Sequence, residues 1–389
     1  MTPHLAAKLI HDFDSSGIHR IGSAGDYLSG QWLQNELQNE TLSLHRQTVS
    51  FKKTQVKEAY LECAGLRIEA LPLFDSPSTG VNGIEGTLAP AQTGLKGQIG
   101  FARFPPNAAS IKGQALEQLR QNTPLSALVI ATDSNDQSLA PINAQHYHHP
   151  LGPPILQVAG FHAPFLTEQT KRGAHAKLVS QPDLIDCESY NLSVKLESPR
   201  IALAAPVVVL TPRTGWWEST AERAGGIVAW MASVKVASQL HHVAKLKRDF
   251  YAYATCGHEL GHLGLETLIK NHPHLVTEAH YWLHLGANLG CAANLDLFIR
   301  TGESDMAHIL RRLLIEENYP EAHIHIEPLA KISGEGFDLN RLGARVLSVA
   351  GSNPYFHSTS DRWPGNVSTQ AVAAIARASA RWVQLQNES

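Results

Sequence analysis

Apolar positions along this chain follow two rhythms. Pro3 to Ser15 sets Leu5, Leu9, Ile10 and Phe13 at helical spacing, which predicts an amphipathic helix. Ile21 to Asp26 reads as a turn, with Asp26 placed to cap a second helix from Tyr27 to Glu40 that carries Leu28, Trp32, Leu33 and Leu37. Leu42 to Phe51 alternates and reads as a strand. From about Ala59 short alternating runs take over: Ala59 to Cys63, Leu66 to Leu71, Ile84 to Leu88 and Gln98 to Phe104. Turns rich in Pro, Gly and Ser separate them, such as Asp75 to Gly80. A helix from Ala115 to Gln121, strands at Ala127 to Ala131 and Pro154 to Val158, and a helix from Ala163 to Arg172 complete this β-rich stretch.

After Asp183 the pattern lengthens. Asn191 to Glu197 reads as a strand. Ile201 to Leu210 is apolar at nearly every position, as suits a strand covered on both faces. A long helix from Glu222 to about Leu240, a strand from Phe250 to Ala254 and a helix from Leu260 to Lys270 follow. Then come a strand from His280 to Leu285, helices near Ala293 to Thr301 and Ser304 to Glu317, a strand from Arg345 to Val349, and a last helix from Ser368 to about Gln386. Alternating strands and helices predict an α/β fold with a mostly parallel sheet flanked by helices. The changes of texture near Ala59 and Asp183 predict one α/β domain from residues 1–58 and 184–389. Residues 59–183 then form an inserted β-rich domain with a sheet of its own.

Composition narrows the function classes. At 389 residues the chain exceeds one compact core, and its net charge is −3. No Lys/Arg run points to nucleic acid. The longest apolar run, Ile201 to Leu210, falls far short of the roughly 20 residues a bilayer needs, and Met1 to Ile10 lacks the pattern of a signal peptide. A cytoplasmic protein without a membrane partner is the expectation. Cys63, Cys187, Cys256 and Cys291 form no C-x-x-C pair and read as buried, reduced thiols.

The chemistry concentrates where the strand ending at Ala254 hands over to a helix, at Cys256-Gly257-His258-Glu259-Leu260-Gly261-His262. Ligands bind at the carboxyl ends of strands in open α/β sheets. Two readings are open. His258 and His262 with Glu259 spell the H-E-x-x-H zinc motif, which requires a firm helix across two glycines. Otherwise Glu259 ligates a metal at a strand end with His258 beside it, and His262 is an ordinary packed or half-exposed helix residue. A second histidine group, His146, His148 and His149, sits before Pro150 and reads as a polar surface loop rather than a ligand set.

The order of Thr211/Arg213, Glu222, His258/Glu259 and His357 along the chain resembles the zinc-dependent aminopeptidase family that includes glutaminyl cyclases and glutamate carboxypeptidases. Arg20 to Gly25 resembles that family's opening, and His357-Ser358-Thr359-Ser360-Asp361 its closing His-Thr-x-x-Asp. Residues 59–183 resemble the protease-associated domain inserted in many members. The resemblance implies that the first zinc-binding His-x-Asp falls on Thr211 and Arg213, the metal-bridging Asp on Glu222, the Glu-Glu pair on His258 and Glu259, and a further Asp ligand on Gly286. It therefore implies a divergent member in which Glu222, Glu259 and His357 are left to hold one zinc, with His258 carrying protons. Arg213 then binds a substrate carboxylate, or pairs with Glu222 or Glu259 in the metal's stead. Trp216 and Trp217 wall an apolar pocket or pack in the core. Alternatively, Glu222 serves as a helix cap and His357 as a backbone hydrogen-bonding residue.

Two function classes follow. One is a single-zinc hydrolase or cyclase acting on a small amide or peptide-like substrate. The other is a metal-free, catalytically inactive relative that binds a small ligand or partner through Arg213 and the old active-site cleft.

Overall fold

The computed structural model describes residues 1–38, 42–109, 115–199 and 204–387. The chain is α/β: a large, mixed sheet is flanked by helices. From one edge, the strand order is Ile324–Glu327, Leu297–Thr301, Val346–Gly351, Tyr281–Leu285, Val207–Pro212, Phe250–Thr255 and His175–Leu196. Val346–Gly351, Tyr281–Leu285, Val207–Pro212 and Phe250–Thr255 run parallel. Val207 and Val209 pack on one face of the sheet with Ile10, Trp230 and Trp382. Val208 and Leu210 pack on the other with Leu265, Trp282 and Leu339. Burial on both faces is why this stretch reads as continuously apolar.

The strands of residues 59–183 do not keep a sheet to themselves. His175–Leu196 pairs with Phe250–Thr255 near one end and with Ile84–Pro90 near the other. The path then continues through Ile99–Phe104, Ala127–Thr132, Ile155–Ala159 and Leu71–Pro72. His45–Cys63 accompanies His175–Leu196 from His45↔Ser193 to Cys63↔Ala176. The boundaries drawn at residues 58 and 183 thus fall inside two long antiparallel strands. Packing is divided where hydrogen bonding is not. Leu61, Leu88, Val129, Leu156 and Leu178 form a core separate from that of Val209 and Trp382.

Several boundaries move. Leu42 to Phe51 grows into His45–Cys63, and the apolar strand begins at Val207, residues 201–203 lying outside the described residues. The second helix is Ala24–Gln38, and residues 39–41 are likewise outside them. Asp26 is inside that helix and not its cap, because its carboxylate accepts from Gly22 N–H and Ser189 Oγ, both at 2.7 Å. The predicted helix over Ala293 to Thr301 is the strand Leu297–Thr301. Leu297 and Ile299 alternate inward there, and the segment pairs with Val346–Gly351. No helix among the described residues is long and apolar enough to cross a membrane.

Candidate functional site

Four parallel strands deliver their carboxyl ends to one side, and a cavity of about 430 Å³ opens there. Its lining includes His258, His262, His284, Asn288, Arg300 and Asn353. A loop from the β-rich segment closes on the same region. Ala144 N–H donates to the Glu259 carbonyl at 2.9 Å, His357 Nδ1 meets the Pro141 carbonyl at 2.6 Å, and Ser358 Oγ donates to Asp136.

The His258–His262 stretch is not a helix. Gly257 and Gly261 have φ of +70° and +75°, and His258–Leu260 makes a single 3₁₀ turn between them. A Cβ on Gly257 would meet that of Leu263 at 2.9 Å, so glycine serves both conformation and space there. His262, at φ +65°, precedes the helix Leu263–Asn271 instead of sitting on it. The turn brings the two rings to 4.6 Å between centroids and both line the cavity; His262 is buried, as a packed residue would be, but it stands before the helix and not on it.

Each cavity histidine is backed by an oxygen. His262 Nδ1 lies 2.7 Å from Asp338 Oδ2, His284 Nδ1 lies 2.9 Å from Ser348 Oγ, and His258 Nδ1 lies 3.5 Å from Glu335 Oε1. Glu335 is sealed and accepts from Thr255 Oγ1 at 2.9 and 2.8 Å. Burial, then the nearby Arg223 charge, holds His258 well below the usual imidazole range. Burial pushes His284 down to about 3, so both rings are neutral at pH 7.

The three residues expected to hold zinc are placed differently. His357 Nε2 is 3.5 Å from Glu222 Oε1, so these two meet. Glu259 is occupied: Oε1 accepts from Ile21 N–H at 2.7 Å and Oε2 from Thr214 Oγ1 at 2.8 Å. Burial, opposed by these hydrogen bonds, pushes its carboxyl up to about 7. Beside Glu222 stands Arg223. Its Nη2 is 2.6 Å from Glu222 Oε1, and its Nε donates to the Thr214 carbonyl at 2.6 Å. Burial alone would raise the Glu222 carboxyl; the Arg223 charge outweighs it and holds it below the usual range. Glu222 Oε1 and Oε2 and His357 Nε2 are buried without hydrogen-bond partners and could face a cation, but the Arg223 charge already stands against Glu222, and Glu259 has protein donors on both oxygens, so the three do not make a ready zinc set. Among the described residues no group of three or more His, Cys, Asp or Glu is arranged to hold a metal. Nor is Glu222 the helix cap: Asp361 accepts from the N–H groups of Ala221 and Glu222, at 2.9 and 3.0 Å. None of Glu222, Glu259 and His357 lines the cavity.

Arg213 points away. Its guanidinium pairs with Asp26 at 2.6 Å and donates to the Tyr190 carbonyl at 2.6 Å, so those groups and not Glu222 or Glu259 take its charge. It is 1% exposed and lies outside the cavity wall, which leaves it no surface for a substrate carboxylate. Trp216 is a core residue, packed edge-on to Phe74 at 5.2 Å with its Nε1 donating to Asn143 at 2.8 Å. Neither it nor Trp217 lines the cavity. The 146–149 loop sets two histidines against carboxylates, His146 Nε2 at 3.2 Å from Glu117 and His148 Nε2 at 3.3 Å from Glu266. All four thiols are free, and Cys187 is partly exposed rather than buried.

Sequence reasoning missed Arg223, His284 and Glu335. Arg223 had a signal: it sits on a helix that is buried all round from Thr220 to Met231, where a cation must have a partner. His284 had a weaker one, a lone imidazole in the apolar Tyr281–Leu285 strand just before Gly286. Glu335, between two glycines, had none.

The sequence matches no protein-family model and no curated protein. Solved structures do match. A zinc aminopeptidase from Bacillus subtilis superposes with a TM-score of 0.74 at 16% identity, covering 98% of this chain and 94% of that one. An aminopeptidase from Aneurinibacillus sp. strain AM-1 gives 0.69 at 12% identity, over 98% and 93%. A peptidase M28 precursor from Shewanella amazonensis SB2B gives 0.69 at 15%, over 100% and 97%. Over essentially its whole length, this chain has the fold of the zinc aminopeptidases.

Proposed function

We propose that this chain is a metal-independent, cytoplasmic binding protein built on the zinc-aminopeptidase fold, whose cavity takes a small peptide-like molecule. Residues 59–183 are the protease-associated-like insertion, and their 136–144 loop shapes one side of the site. The observation that carries this reading is Arg223, a sealed cation against Glu222, one of the positions where the resemblance puts a zinc ligand. A guanidinium supplies permanent positive charge, but it has no open coordination position to activate water or polarise a carbonyl. The fold alone suggests the other reading, a single-zinc hydrolase or cyclase, which needs three protein ligands around one ion.

Zinc content after dialysis against zinc and then buffer, together with turnover of aminoacyl anilides, tests the choice. The expected result is no stoichiometric zinc and no turnover. One zinc per chain, lost in His357→Ala and accompanied by hydrolysis, would establish the hydrolase instead.

A further inference from the structure

We propose that the chain has a second binding site, a groove between the long strand pair and the insertion loops, which takes an apolar monocarboxylate with its acid group at the Phe74 end and its apolar body along Leu184. The groove shares no lining residue with the cavity at the strand ends, so it stands apart from the reading above.

Its volume is about 1030 Å³, against about 430 Å³ for the strand-end cavity. One side is the pair His45–Cys63 and His175–Leu196; the other is the 72–78 and 147–150 loops. Phe51, Leu73, Phe74, Tyr147 and Leu184 make the wall apolar. Tyr147 is pinned, because its hydroxyl donates to the Lys52 carbonyl and meets Thr54 Oγ1 at 3.3 Å. Leu184 stands 62% exposed along this wall. A large, preformed, apolar concavity is the usual shape of a small-molecule site.

One arginine decides the charge of the occupant. Arg20 is half-buried, and its guanidinium carbon lies 5.5 Å from the centroid of the Phe74 ring. Among the described residues it has neither a hydrogen bond nor an ion pair. Burial pulls it below the usual guanidinium range, and the Glu259 charge works the other way. Glu259 is no partner, since its two oxygens accept from Ile21 and Thr214. Two residues on, the Gly22 carbonyl takes the Lys53 ammonium at 2.7 Å, a further cation set on a neutral acceptor. A desolvated cation without a counter-charge calls for an anion.

The solvent rim carries the opposite sign. Lys52 pairs with Asp186 there at 2.6 Å, and the Glu188 carboxylate accepts from the Ser50 hydroxyl at 3.3 Å without a cation among the described residues. An anion is thus drawn inward, and a cation is held at the rim. Across about 10 Å, at an effective dielectric of about 20, the attraction of Arg20 for a carboxylate is worth about tenfold in affinity.

Calorimetric titration of the full chain with octanoate, octanamide and octylammonium tests this, since the three share one tail and differ in charge. The expected result is one octanoate per chain, bound about tenfold or more tighter than either analogue. Arg20→Met should abolish that preference and leave octanamide binding where it was. Leu184→Gln, at an exposed position, should weaken octanoate and octanamide alike. Circular dichroism shows whether each variant is folded; if Arg20→Met is not, the analogues and Leu184→Gln decide. Octanamide or octylammonium binding as tightly as octanoate overturns the proposal. So does a failure of octanoate to bind at millimolar concentration, or octanoate binding that Leu184→Gln leaves unchanged.

Discussion

Glu222 and Arg223 are consecutive residues, yet their charged ends meet at 2.6 Å inside the protein. Neighbours in a helix normally diverge by about 100°. Here the Thr214 carbonyl draws the guanidinium back toward the helix start, where Glu222 and His357 already meet.

Cutting this pair from one side should be costly. Arg223→Met leaves Glu222 buried beside a single imidazole, and a loss of about 3–5 kcal/mol is expected from urea denaturation. Adding Glu222→Gln should restore much of it, because the stranded charge is then gone. A cost below about 1 kcal/mol for Arg223→Met would show that the two are not coupled.

Arg213 should behave as a structural residue. Arg213→Ala strands sealed Asp26, with an expected loss of about 3–5 kcal/mol. Ligand affinity, measured where the variant is still folded, should change little. A selective loss of affinity without loss of stability would return Arg213 to the binding site.

Glu259 gives a pH signature. Its folded-state carboxyl titrates near 7, above its ordinary value of 4.5, so the folded state keeps a proton that the unfolded chain releases earlier. Stability from this group is full below about pH 4.5 and is lost as pH rises toward 7. Glu259→Gln removes the titration while its amide oxygen still accepts from Ile21 N–H and its amide NH2 donates to the Thr214 hydroxyl in place of accepting from it. The stability of the wild type relative to this variant should therefore fall by about 2 kcal/mol between pH 5 and pH 8. A difference that is flat with pH, or one that rises, contradicts the assignment.

Gly225 is where the long helix touches its neighbour. A Cβ there would lie 1.7 Å from the Leu289 carbonyl oxygen, with backbone on both sides. Gly225→Ala should cost about 3 kcal/mol despite alanine's better helix propensity. Thermal unfolding reads this directly; a stabilised variant would mean that the helix and the Leu289 turn are less closely packed.

Much of the fold was legible because its parallel strands are buried on both faces, and Val207 to Leu210 announces that with four apolar residues in a row. Where a strand was half-buried the signal failed: Leu297–Thr301 mixes Arg300 and Thr301 with its inward residues and reads as a helix. The site was legible by address more than by role. His258 and Glu259 do stand at a strand's carboxyl end, but which side chains turn toward the cavity depends on the left-handed residues Gly257, Gly261 and His262, and backbone handedness is not written in a histidine. Arg213 and Arg223 illustrate the same limit, since neither sequence position reveals that Asp26 claims one and Glu222 the other.

The paired strands His45–Cys63 and His175–Leu196 run without a break from the core around Val209 to the core around Val129. Mechanically they act as a spar. The sole irregularity in their register is at Val56 and Glu58, opposite Pro182 and Gln181, so bending compliance is concentrated there. The 136–144 loop is carried on the far side of that point, and its tie to Glu259 and His357 spans the gap like a stay. Such a frame resists opening like a jaw. On the proposed binding role, a ligand would therefore exchange through the mouth of the cavity, at a rate set by the width of that mouth more than by any swing of the two halves.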